Sequence, residues 1–179
     1  NYNLPIIGME PAVKPAIFAS TKKKIGILAT EGTLKSTKFI ALLENYEGEA
    51  LFYVQPCIGL VELIERGKIS NDSTKRLIHS YLLPLKKNGV DVIVLGCTHY
   101  VFIKEIIEDY FSGTVTVIDT GLAVALHAER TLKGGSVSSS SELPESSLIY
   151  SSSTGIKKSI ALLAPNIKNK LLFSNTFID

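Results

Sequence analysis

The chain contains no tryptophan, a single methionine and only two cysteines, Cys57 and Cys97, in 179 residues. Two cysteines do not make a disulfide framework, and neither a Cys-x-x-Cys pair nor the Cys/His spacing of a zinc site occurs. Long apolar runs are also missing. No stretch approaches the roughly 20 residues that a membrane-spanning helix needs, and the first residues lack the charged-then-apolar layout of a secretory signal. Neither sign of charge dominates: the formal net charge of +2 is too small to imply a nucleic-acid partner. The run Lys22-Lys23-Lys24 reads as a solvated loop, with an anion or phosphate contact as the alternative. These absences exclude several classes and leave a chain expected in a reducing cytoplasm, with no membrane and no nucleic-acid partner.

What is present is an ordinary globular composition with enough length for one full core, or one domain and part of another. The chain opens at Asn1 and enters an apolar run at residues 4–8 almost at once. That start suggests a fragment or processed product; a tag-cleaved short protein is the alternative.

The centre of the sequence is Val90-Asp91-Val92-Ile93-Val94-Leu95-Gly96-Cys97-Thr98-His99-Tyr100. Before the glycine it is a nearly unbroken, β-branched apolar run, as expected for a strand buried on both faces of a parallel sheet. Beyond it, residues 101–111 set Ile103, Ile106, Ile107, Tyr110 and Phe111 at helical spacing, with Lys104, Glu105, Glu108 and Asp109 between. Cys97, Thr98 and His99 therefore fall where a strand ends and a helix begins. Ligands of open α/β sheets bind at that carboxyl edge, and a helix N-terminus there is expected to stabilise the thiolate.

Further strand-like runs at 25–29, 49–55 and 114–118 alternate with helical patterns at 34–46, 59–67, 74–87 and 122–132. Ser70 to Ser73 supply a helix cap, and Pro84 is expected to kink the helix near its end. The alternation predicts an α/β fold, a parallel sheet with helices on both faces. Right-handed crossovers bring the strand–helix turns to one edge, so residues 30–33, 55–59, 97–99 and 119–121 should cluster. Residues 10–120 read as one domain and 1–9 as a linker into it. Residues 121–179 read as a separate segment, with a serine-rich loop at 136–141, short strands at 148–150, 171–173 and 177–178, and a helix at 155–163. That tail could belong to a different sheet.

Each chemically able side chain has a plain structural reading beside the functional one. Cys97 is either an inert, buried cysteine or a functional thiol, and Thr98 and His99 beside it favour the latter. His99 is a packed histidine or a proton-transfer and anion-orienting group. Thr30 and Thr33 are turn and N-cap hydroxyls that can also donate to a carboxylate. Asp119 reads first as a helix cap. Glu62 is an exposed helix carboxylate, or the group that orients His99 and holds it protonated. Cys57 reads as a small buried residue, and His79 and His127 carry no assignment.

Four motifs carry a resemblance. They are Gly8-Met9-Glu10-Pro11-Ala12-Val13-Lys14-Pro15-Ala16; Ile27-Leu28-Ala29-Thr30-Glu31-Gly32-Thr33 with Ser36; Leu60-Val61-Glu62; and Gly89-Val90-Asp91 through Gly96-Cys97-Thr98-His99-Tyr100 with Val117-Ile118-Asp119. In this order they resemble the C-terminal half to two-thirds of a glutamate racemase, of the aspartate/glutamate racemase superfamily. The match covers the first 120 residues, and the tail matches in outline.

The resemblance implies a cofactor-independent enzyme that interconverts L- and D-glutamate for peptidoglycan of the bacterial cell wall. It implies two α/β domains with one cysteine from each on opposite faces of the substrate α-carbon. By that likeness Cys97 is one catalytic thiol, Thr98 and His99 contact substrate or support the thiol, Thr30 and Thr33 hold substrate, and Glu62 orients His99. It also implies that the tail returns to the first domain. The family's N-terminal Tyr-Gly and Cys-Asn-Thr motifs, the last with the other catalytic cysteine, do not occur here, its N-terminal Asp-Ser motif has no counterpart besides the Asp72-Ser73 pair of the cap cluster, and Val101 stands where proline is usual. The expectation is a missing N-terminal half, a chain inactive alone, and possible homo-oligomerisation. A same-superfamily racemase acting on aspartate or a hydantoin is one alternative; a non-catalytic binding module for acidic amino acids is another.

Overall fold

The computed structural model describes residues 7–134, 147–150 and 171–174. Its organising feature is a four-stranded parallel sheet of order β2-β1-β3-β4, formed by β1 (Lys24–Ala29), β2 (Leu51–Pro56), β3 (Val92–Leu95) and β4 (Thr116–Ile118). The order reverses at β1: the next strand pairs on one side of it and the third strand on the other. The gap between the carboxyl ends of β1 and β3 is therefore the topological switch point, where such sheets open a crevice.

Alternation along the central strands explains why both faces are covered. Ile25, Ile27, Val92 and Val94 point into one apolar cluster with Val13, Ala16 and Ile17 of α1 (Val13–Ala19) and Phe39 of α3 (Thr37–Glu44). Leu28, Ile93 and Leu95 point into the other. There they meet α4 (Leu60–Glu65), α5 (Asp72–Lys87), the 3₁₀ turn Thr98–Ile103 and α6 (Lys104–Tyr110). All four residues of β3 are buried, as the unbroken apolar run predicts.

Two local expectations change. The helix read over 34–46 is two, α2 (Glu31–Leu34) and α3, because Ser36 adopts an extended ψ of 131° and its Oγ accepts the Phe39 N–H at 3.1 Å. The α-helix read from residue 101 is preceded by the 3₁₀ turn Thr98–Ile103 and begins only at Lys104. Thr-His-Tyr-Val-Phe-Ile contains no strong helix former, which suits the short, tight winding. Asn71 caps α5 with no side-chain bond, and Pro84 lies within that helix.

In the tail, α7 spans Gly121–Gly134. Strands β5 (Ser147–Tyr150) and β6 (Leu171–Ser174) pair in parallel as a sheet of their own. The serine-rich loop, the helix read over 155–163, the strand at 177–178 and most of the apolar run at 4–8 lie outside the described residues. Among the described residues no helix is long and apolar enough to cross a membrane.

Candidate active site

Gly96 makes the crevice possible. Its N–H donates to the Leu28 carbonyl of β1 at 2.8 Å, and a Cβ on residue 96 would sit 2.8 Å from that same oxygen. Only glycine lets the chain leave β3 this close to β1, and the next residue, Cys97, is delivered to the sheet edge half-buried.

Two openings flank it. The larger, about 380 Å³, is lined by Thr33, Ser36, Lys38, Glu10 and Gly96 among others. The smaller, about 110 Å³, is lined by Cys97, Thr98, Val101, Asp119, Thr120 and Gly121, and Met9 borders both. The β2–α4 turn joins from behind, where Cys57 N–H donates to Ala29 O at 3.0 Å and the Tyr100 hydroxyl makes a long, 3.4 Å bond to Cys57 O. The four turns expected to cluster do so.

Around the thiol the side chains form a relay. Cys97 Sγ lies 3.8 Å from His99 Nδ1, and His99 Nε2 lies 3.1 Å from Glu65 Oε1. An ionised carboxylate only accepts, so the imidazole proton belongs on Nε2 and the Nδ1 lone pair faces the sulfur. This arrangement can take the thiol proton and return it. His99 and Glu65 keep 31% and 49% of their side-chain surface exposed, so solvent screens their pairing.

The carboxylate at His99 is thus Glu65 and not Glu62. Helical phase gives the reason. At about 100° per residue, Glu62 falls opposite the midpoint of buried Leu60 and Ile64, facing solvent, while Glu65 falls on the flank shared with half-buried Val61.

The threonines divide their work. Thr33 lines the larger opening. Thr30 lines neither; it caps α2 by accepting the Thr33 N–H at 3.2 Å, and its Oγ1 lies 3.0 Å from Thr33 Oγ1, steadying that hydroxyl. Thr98 is exposed at the rim. Asp119 is a cap: Oδ1 accepts the Gly121 N–H at 3.0 Å and Oδ2 sits 3.5 Å from Lys104 Nζ.

The expectation of a stabilised thiolate is reversed. Burial pushes the Cys97 thiol up, and the backbone N–H groups of His99 and Tyr100 bring it only partly back. The turn after Cys97 is 3₁₀ and short, so it offers little dipole against the loss of water. Cys57 is further from use. It is 3% exposed, lines neither opening, and burial pushes its thiol up to about 12.

A sequence-family description, Asp/Glu/Hydantoin racemase, matches residues 1–128. The chain belongs to that family. Among the relatives of this chain, the glutamate racemase of Ectopseudomonas mendocina is 48% identical over 129 residues, covering 72% of this chain and 49% of the relative. That of Ralstonia nicotianae is 47% identical, with 72% and 47% covered. The chain thus spans about half the length of the curated relatives it matches. Among solved structures, Escherichia coli glutamate racemase, determined with L-glutamate and the activator UDP-MurNAc-Ala, superposes with a TM-score of 0.77 at 22% identity. The match covers 97% of this chain and 65% of that one. The Bacillus anthracis isoform RacE1 gives 0.78 at 20%, with 99% and 66% covered. At these identities the superpositions establish the shared fold.

Proposed function

We propose that this racemase chain carries one half of a cofactor-independent proton exchange at the α-carbon of glutamate, in which the reacting group is the Cys97 thiol. The relay of Cys97, His99 and Glu65 at the carboxyl edge of the sheet is the observation that carries the reading. His99 accepts the thiol proton at Nδ1, Glu65 fixes the tautomer, and the thiolate removes the α-proton from one face. Thr33, steadied by Thr30, and rim residue Thr98 bind the substrate. An amino-acid α-proton is weakly acidic, so the base must be close, aligned and shielded from water. Inversion needs a second acid on the opposite face. Cys57 is buried away from both openings, so that second group comes from a partner lobe of the complete enzyme, to which the segment after residue 121 returns, or from a second copy. D-Glutamate for peptidoglycan, made in the cytoplasm, is the product this assignment implies.

Circular dichroism of D- or L-glutamate incubated with the chain alone is the test. The expected trace is flat; sustained loss of optical activity at enzyme-like rates overturns the one-base reading. One observation favours a second reading, a site that holds an acidic amino acid without turnover: the raised Cys97 thiol. Thiol titration with and without glutamate separates the two. A value that falls when glutamate is bound supports proton exchange, and one that stays high supports binding alone.

A further inference from the structure

Glu65 reaches His99 from the last residue of α4, a short helix with no side-chain cap at its start. The turn that leads into the helix is held in another way. Cys57 O and Ile58 O are consecutive carbonyls of the β2–α4 turn, and each meets a tyrosine hydroxyl from a different element. Tyr100 of the 3₁₀ turn approaches Cys57 O at 3.4 Å, and Tyr81 of α5 donates to Ile58 O at 2.7 Å. The Tyr81 bond is the one at full strength. The Ile58 side chain is 60% exposed and gives the turn little anchorage. Gly59 follows with φ 77°, a backbone state that is free only to glycine. The direction in which α4 leaves the turn is therefore set at the Ile58 carbonyl.

We infer that Tyr81 is a positioning residue for the Cys97 thiol, acting through the Ile58 carbonyl, α4 and the Glu65–His99 pair. This rests on the proposed function and adds a remote member to it. Leu60 and Ile64 are fully buried, but they lie one turn apart on one side of α4, and they fix its depth more than its direction. From Ile58 to Glu65 is about 10 Å of helix rise, so a small swing at the turn is carried to the carboxylate. The 3.1 Å contact of Glu65 with His99 leaves hydrogen-bond range after a displacement of about half an ångström. An imidazole without that carboxylate holds a second proton less well, so it takes the thiol proton less readily.

The test follows alkylation of Cys97 by iodoacetamide against pH in the full chain, with urea denaturation to show that each variant is folded. Cys57 is buried, so the label reports Cys97. Glu65→Gln should slow alkylation at neutral pH by up to roughly fivefold, the scale of a half-exposed ion pair. Tyr81→Phe keeps the ring and loses the hydroxyl. It should slow alkylation roughly twofold, a part of that same pair, and move the pH midpoint in the same direction. The double variant should match Glu65→Gln alone, because both changes act through one contact. Ser80→Ala removes a hydroxyl bond from the neighbouring residue of α5 to Leu77 O and should leave the midpoint where it is. The other titratable groups around the sulfur, Cys57, Tyr100 and Asp119 with its Lys104, are the same in every variant. A midpoint unchanged in Tyr81→Phe, effects that add in the double variant, or an equal shift in Ser80→Ala overturns the role of Tyr81 and leaves the relay standing. If Glu65→Gln itself leaves the midpoint unchanged, the relay behind the proposed function fails and this inference fails with it.

Discussion

At the amino end of β3, Asp91 accepts four hydrogen bonds: Ser20 Oγ at 2.6 Å, Thr21 N–H at 2.8 Å, Thr21 Oγ1 at 3.0 Å and Lys22 N–H at 2.8 Å. At the carboxyl end of the same strand, Cys97 meets one ring nitrogen at 3.8 Å, and that ring leans on a half-exposed carboxylate. The lysine run lies at the amino end too, where Lys23 Nζ donates to Ile17 O at 2.7 Å and Lys24 Nζ to Asn88 O at 3.2 Å. Around Asp91 the polar groups are tied by bonds within the chain. The carboxyl end keeps its polar groups loosely held, with Met9, Val101 and Phe102 exposed around them. The contrast separates residues that hold the fold from residues left available for chemistry.

Exchanging the two ends gives the largest expected effect. Asp91→Ala should lower unfolding free energy by about 3 kcal/mol, because it removes four hydrogen bonds to a charged carboxylate, one of them from the buried Ser20 hydroxyl. It should leave labelling of Cys97 by iodoacetamide unchanged. Cys97→Ala should cost about 1 kcal/mol or less and abolish native-state labelling, since Cys57 is buried with its thiol up at about 12. Urea denaturation with a labelling count checks both. Equal destabilisation by the two variants would erase the distinction between the ends.

Acid should weaken the amino end selectively. Burial pushes the Asp91 carboxyl up, but the Ser20 hydroxyl, the Lys22 N–H and both Thr21 donors outweigh it and hold it below the usual value. A carboxyl whose folded value lies below its unfolded value of about 3.9 stabilises fully above that pH. The contribution is lost as pH falls through the folded value. The stability gap between the native chain and Asp91→Ala should therefore be constant from neutrality down to about pH 5 and narrow below about pH 4. A gap that stays constant to pH 2 would place the strength of this knot elsewhere.

Gly96 ties the ends together, and its substitution should fall between them in size. Gly96→Ala puts a methyl against the Leu28 carbonyl, a backbone atom of a strand paired on both sides. The expected loss is about 2 kcal/mol, together with a change in Cys97 labelling rate, because relief requires moving either Leu28 or the residue after Gly96. A stable variant with native labelling would mean that the crevice tolerates a wider gap between β1 and β3.

How legible all this was depends on the range of the forces involved. Strands β1 and β3 could be read directly, because burial on both faces demands unbroken apolar residues, and so could the position of Cys97 at the edge. The break at Ser36 was hidden because the helical spacing of Phe39, Leu42, Leu43 and Tyr46 lies wholly after it and does not fix where the helix starts; the signal was the capping side chain itself. The raised Cys97 thiol was not legible, since it depends on how much water the neighbouring elements exclude. The Asp91 knot was invisible for the same reason: its donors lie about 70 residues away.

The smallest effects sharpen the carboxyl end. Glu62 and Glu65 occupy the same short helix three residues apart, and only Glu65 reaches His99. Glu65→Gln should cost less than about 1 kcal/mol, as half-exposed pairs do. It should slow Cys97 alkylation and move its pH midpoint further up, because an amide no longer favours the charged imidazolium that forms when Nδ1 takes the thiol proton. Glu62→Gln should change neither stability nor midpoint measurably. If the two variants shift the midpoint alike, the influence on Cys97 is the diffuse negative field of α4 rather than a bond to His99. If only Glu62→Gln shifts it, the relay runs through the residue that helical phase turns toward solvent, and the geometry described for α4 is wrong.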